Sequence, residues 1–275
     1  MKKILIVFCI PFLKPLLFAV GITVGGTRLS IPAPPGFSPI TSEMKPYADI
    51  AERFVSPTNQ QFALFLPNTD VVLAISGGLP KPRRWFCVQT AKIAIERSFT
   101  DADFTHLKRT LTTQNEEIIR EAEAKVPGYI EIINKGIFDD YGIELGLSVT
   151  RMLPLPPNFE TEQTFAYSML SKISANDESS NPTVYEAVST ATFLHVQSKV
   201  LFLHVYAEKS GLEWSRAESK KWADMIIEAN PSVGAVAALE GTGYDWSHVA
   251  AKAIPVAIVC VLVPLLSYLF RKREG

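Results

Sequence analysis

His195 and His204 are the residues of this chain best placed by type and spacing to do chemistry. They lie in two runs rich in Val, Phe and Leu, residues 183–196 and 200–206, which read as strands joined by a tight turn near Ser198-Lys199. Pairing about that turn puts both imidazoles on one face, diagonally across two strands and about 7–8 Å apart at the backbone. At that spacing they could share a metal ion or a proton. No Asp, Glu or Cys of either run adds a ligand on that face, whereas zinc takes three or four. The aromatic neighbours Phe193, Phe202 and Tyr206 support the other reading, in which both rings pack beneath a helix.

Elsewhere the sequence offers little reactive grouping. It has no Gly-x-Ser-x-Gly elbow, no His-Glu-x-x-His, no phosphate-binding loop and no Cys-x-x-Cys, so no cofactor is expected. Scattered triads leave no such signature, so an enzyme stays open. Cys87 is the lone cysteine of the central region and reads as a small buried residue. The pairs Asp139-Asp140 and Glu116-Glu117 sit on helices, where solvent exposure accounts for them. Lys81, Arg83 and Arg84 form a basic cluster in a proline-broken loop and read as a solvated turn.

The elements that must position these residues follow from periodicity. Residues 60–66 and 85–95 read as strands around a loop at 76–82, and Thr41 or Ser42 caps a short helix reaching Phe54. Thr100 with Asp103 marks a helix start whose stripe runs Phe104, Leu107, Leu111, Ile118, Ala122 and Val126. Pro127-Gly128 should kink or stop it, and a second stretch ends at Gly142. The period then switches to two: 143–149 and 164–173 read as strands ahead of the histidine hairpin, with 176–182 a polar loop. Residues 211–230 form an amphipathic helix with Trp214, Trp222, Met225 and Ile226 on one side and Lys220 facing Asp224 on the other. One hairpin face carries Leu194, Val196, Leu201, Leu203 and Val205; the other carries Phe193, His195, Phe202, His204 and Tyr206. Both are apolar enough to need cover. The expectation is an α+β domain, a mainly antiparallel sheet with helices packed on it as an α/β/α-type sandwich.

The two ends are apolar and basic. Residues 253–270, from Ala253 to Phe270, carry no charge and as a helix would span about 27 Å, close to bilayer thickness. Arg271, Lys272 and Arg273 follow and should stay in the cytoplasm. At the other end Lys2 and Lys3 precede the apolar run 4–13, and Ala19 and Gly21 offer a small-x-small cleavage site, as in an export signal. Without cleavage, 4–24 would be a second, poor span. Both outcomes place the middle of the chain outside. The organisation read is a signal peptide or poor span at 1–26, a domain at 27–230, a stalk at 231–249, and a transmembrane helix with a basic tail at 250–275. The ends hold seven of the 27 basic residues and one of the 28 acidic ones, so 27–249 carries 20 basic and 27 acidic, a net −7. That charge disfavours a nucleic-acid partner.

The segments Leu29-Ser-Ile-Pro-Ala-Pro-Pro-Gly-Phe37, 165–173 and 199–206, with Trp214 and Trp222, resemble a group of uncharacterised bacterial exported, membrane-anchored proteins. The element order also resembles the PsbP/Mog1-like sandwich, which implies a binding or assembly role and carries over no catalytic residue. The expectation is a single-pass protein of the cytoplasmic (inner) membrane. Its domain faces the periplasm or exterior, and its partners are the lipid bilayer and another envelope protein. The alternative is an envelope hydrolase or metalloenzyme using His195 and His204.

Overall fold

A computed structural model describes residues 18–113, 115–142, 146–175 and 183–231. The expected span 253–270, its basic flank Arg271–Arg273 and the apolar run 4–13 lie outside the described residues. Among the described residues no helix is long and apolar enough to cross a membrane.

The body is a mixed α+β fold around an antiparallel sheet. Its strands are β3 (Phe37–Pro39), β4 (Asn59–Pro67), β5 (Arg84–Ala91), β6 (Leu147–Pro154), β7 (Phe159–Glu160), β8 (Thr164–Ala175), β9 (Thr183–Val196) and β10 (Lys199–Glu208). The order across the sheet is β3-β4-β5-β10-β9-β8-β6, with β7 pairing to β8. β8, β9 and β10 fall where the alternation predicts them. Their facing residues Phe193, Val200, Phe202 and Tyr206 enter one core, and Leu194, Val196, Leu201, Leu203 and Val205 enter another.

The first core lies under α1 (Tyr47–Arg53), α2 (Asn68–Ile75), α3 (Asp101–Thr113) and α4 (Asn115–Tyr141). α3 starts as the sequence predicts: the Thr100 amide and hydroxyl donate to Asp103 Oδ2 at 2.9 and 2.8 Å, and the Asp103 amide donates back to Thr100 Oγ1 at 3.1 Å. α4 continues through Pro127 rather than stopping there. The missing N–H costs one helical bond, yet the buried stripe Val126, Ile130, Ile133 and Ile137 runs on across the proline and holds the helix down. Gly142, at φ +65°, then ends it, its amide donating to Phe138 at 2.7 Å.

The second core lies under α5 (Leu212–Ala229) and a separate hairpin of β1 (Ala19–Val24) and β2 (Thr27–Pro32). β1 falls within the 1–26 segment read as an export signal. Ile22 and Val24 point into the α5 core, and Gly25-Gly26, both at positive φ, make the tight turn to β2. A Cβ on Gly25 would run into the Ile95 carbonyl oxygen. α2 is absent from the sequence expectation; of the expected strand 143–149, residues 143–145 lie outside the described residues and β6 is described from Leu147.

Candidate functional site

The structure keeps His195 and His204 on one face but does not bring them together. The turn is Gln197-Ser198, both at positive φ (44° and 60°), rather than Ser198-Lys199. Moving the turn centre by one residue shifts every cross-strand partner by two, which preserves the face and changes the neighbours. His195 lies opposite Val200, and His204 opposite Ala191. The two are therefore four residues apart along the hairpin, roughly 13 Å at the rise of a strand.

Each ring has its own setting. His195 Nε2 lies 2.9 Å from the Phe99 carbonyl, which can only accept, so Nε2 carries hydrogen; Nδ1 faces Asp101 at 3.3 Å. The ring stacks on Phe104, centroids 5.4 Å apart. It therefore ties the hairpin to the start of α3. His204 is wholly buried, and neither ring nitrogen has a hydrogen-bond partner among the described residues. Burial depresses its pKa to about 3, so it stays neutral. Among the described residues no group of three or more His, Cys, Asp or Glu is arranged to hold a metal ion. Cys87, opposite His204, is buried with Sγ donating to Gln61 Oε1 at 3.1 Å.

The arrangement that opens to solvent lies on the other side of the sheet. β2 ends at Pro32, and the strap 33–36 leads over the edge of α5 to Phe37. Trp222 Nε1 donates to the Pro32 carbonyl at 2.8 Å and so fixes the strap to the helix. Phe37, Phe86, Trp214 and Trp222 pack edge to face: Phe86 lies 4.7 Å from Phe37, 5.7 Å from Trp214 and 5.1 Å from Trp222. The Arg84 guanidinium sits 4.3 Å above the Trp214 ring. Between strap and helix runs a groove of about 410 Å³ lined by Pro34, Phe37, Arg84, Trp214, Lys221 and Met225.

Past Phe37 and Arg84 a second hollow of about 560 Å³ continues, lined by Lys81, Arg83, Asp70 and Glu208 among others. Arg83 donates from Nε and Nη2 to the two carboxylate oxygens of Glu208, and burial raises the Asp70 pKa. The basic cluster is thus only partly a solvated turn: Arg84 is the first residue of β5, built into the groove wall. Sequence reasoning missed Phe37, Arg84 and Trp214 as a unit. Trp214 read as core because it shares a helix face with Trp222, yet it lies two turns nearer the helix start and remains partly exposed at the groove. The other sequence candidates lie apart from this groove. Asp140 pairs with Arg53 at the end of α4.

Solved structures similar to the chain include a mutant of protein Mog1, at 9% identity and a TM-score of 0.32, covering 79% of this chain and 97% of that one. Another is the crystal structure of the Saccharomyces cerevisiae Ran-binding protein Mog1p, at 10% identity and a TM-score of 0.27, covering 93% and 94% respectively. A likeness this weak carries no argument about function. No family model matches the chain, and no curated protein does.

Proposed function

We propose that this chain is a membrane-held binding protein whose domain lies outside the cytoplasm and presents the groove between the strap and α5 to another envelope protein. The terminal sequences support the location: apolar segments edged by Lys2 and Lys3 at one end and by Arg271, Lys272 and Arg273 at the other. The observation that carries the binding half is Arg84 stacked on a partly exposed Trp214 at the mouth of an aromatic groove. Trp and Arg in a concave, rigidly backed setting are the residue types on which protein–protein binding energy concentrates. The strap is fixed from behind by Trp222, so the groove is preformed and a partner loses little by ordering it. A cut at Ala19 or Gly21 would remove part of β1, so in this reading residues 1–17 either stay attached or are removed before Ala19.

A photo-crosslinking residue in place of Met225, in the full chain in its membrane, tests the reading. It should trap one discrete adduct, and Arg84→Glu with Trp214→Ala should abolish it. An adduct unchanged by both substitutions would exclude the groove as the docking site.

A further inference from the structure

The two ends of the domain expose different chemistry, and different chain termini leave them. β10 runs about 30 Å from Lys199 to Glu208. At its Glu208 end Ala207 faces Arg84, the start of β5. The amide of Asn68, which opens α2, donates to the Gly36 carbonyl there at 2.9 Å. Phe18 is at this end too, its carbonyl accepting from the Ala33 amide at 2.8 Å. Gly36 is three positions along the chain from Ala33, so chain reach keeps them within about 11 Å.

This end is apolar on its outside. Phe18 and Val72 are each 77% exposed, Ile75 50% and Leu73 48%, half of the large apolar side chains exposed among the described residues. α2 buries only Ala74 fully and turns the rest of its apolar residues outward or to the edge of the core. Exposed Lys81, Arg83 and Arg84 flank it, against Asp70 and Glu208. The opposite end is polar. Glu96, Arg97 and Ser98 are exposed there beside the Gln197-Ser198 turn, and Gln197 Nε2 donates to the Pro231 carbonyl at 3.4 Å, where the described chain ends.

We infer that the end formed by Phe18 and α2 is the lipid-facing surface of the domain, with Val72, Leu73 and Ile75 entering the boundary of the bilayer. The inference rests on the membrane-held reading with residues 1–17 left attached. Phe18 follows the apolar run 4–13 after Lys14, Pro15, Leu16 and Leu17. With that stretch in the bilayer, Phe18 lies near its surface, and α2 is at the same end of the domain. An apolar patch rimmed by basic side chains suits that boundary, where rings and aliphatic chains sink in and ammonium and guanidinium groups stay at the headgroups. The C-terminal span is compatible with this orientation. Residues 232–252 can reach about 70 Å when extended, ample to return along a 30 Å domain.

The test uses the full chain in vesicles, with Cys9 and Cys260 replaced by Ser and buried Cys87 retained. An environment-sensitive fluorophore is placed at Val72→Cys or Ile75→Cys, and at Glu96→Cys on the opposite end. The quencher is a phospholipid spin-labelled near the top of its acyl chain, matching the depth of about 5–10 Å at which interfacial side chains sit. Emission from positions 72 and 75 should fall at least two-fold, and emission from position 96 should not change. Quenching at 96 alone, or at none of the three, overturns the inference while the membrane-held reading stands. A chain that washes off the vesicles in alkaline carbonate overturns both.

Discussion

Against α5 the sheet presents hydroxyls that meet hydroxyls; against α1, α3 and α4 it presents rings and small side chains, several of whose polar atoms meet no partner among the described residues. On the α5 side Thr190 Oγ1 lies 2.9 Å from Ser168 Oγ and 2.8 Å from Ser215 Oγ, and Thr192 Oγ1 lies 2.6 Å from Ser219 Oγ. Arg216 Nε donates to Ser168 at 3.2 Å. On the other side Tyr47, Trp85, Tyr167, Ser171, Ser189 and His204 are buried with a side-chain donor or acceptor unmatched among the described residues. Burial raises the pKa values of Tyr47 and Tyr167 above the usual phenol range. The α5 face is specified by paired polar contacts that fix where the helix sits, and that fixed helix is the wall of the groove. The opposite face is held by bulk, and each unmatched polar atom subtracts from its stability.

The contrast can be broken most forcefully at Trp222. Trp222→Ala removes a fully buried ring and its bond to Pro32, and should cost about 3–5 kcal/mol in chemical denaturation of the detergent-solubilised chain. A loss below about 1 kcal/mol would mean that the strap is not fixed by the helix. His204 gives the next effect. Its folded-state pKa lies below the ordinary histidine value of about 6.5, so the stability tied to its neutral form is present above pH 6.5 and drains away as pH falls toward 3. Stability at pH 5 should be about 2 kcal/mol below that at pH 7, and His204→Phe should flatten that part of the profile. An unchanged slope in the variant would place the acid sensitivity elsewhere.

The two hydroxyls Thr190 and Ser189 sharpen the comparison, because they are adjacent in β9 and point to opposite faces. Thr190→Val removes the hydroxyl that pairs with both Ser168 and Ser215, and should cost roughly 1–2 kcal/mol. Ser189→Ala deletes a hydroxyl with no partner among the described residues and should be neutral or slightly stabilising. Equal losses at the two positions would erase the difference between the faces. Smallest of all, Lys220→Ala breaks an exposed 2.9 Å pair with Asp224 and should change stability by less than about 0.5 kcal/mol.

Which parts were legible follows the same physics. β8, β9, β10 and α5 could be read because alternation and helical spacing report burial on one face, and both faces of the hairpin are buried. The partition of its residues between two cores came out of the sequence for that reason. The distance between His195 and His204 did not, because it depends on the turn centre, and two non-glycine residues at positive φ give no sequence signal for it. β1 carries a clear hairpin signal in Val24-Gly-Gly-Thr27, masked by its place just after an apolar, basic-edged segment. α2 hid because Val71, Val72, Leu73, Ala74 and Ile75 form an unbroken apolar run with no polar face to betray the helix. The groove was invisible because its parts come from the strap, β5 and α5, which only the fold brings together.

The most direct measurement is protease added from outside to intact spheroplasts of a bacterial host making the full chain. The account predicts that residues 18–231 are degraded without lysis. If they survive until the membrane is broken, the domain faces the cytoplasm and the groove cannot meet an envelope partner.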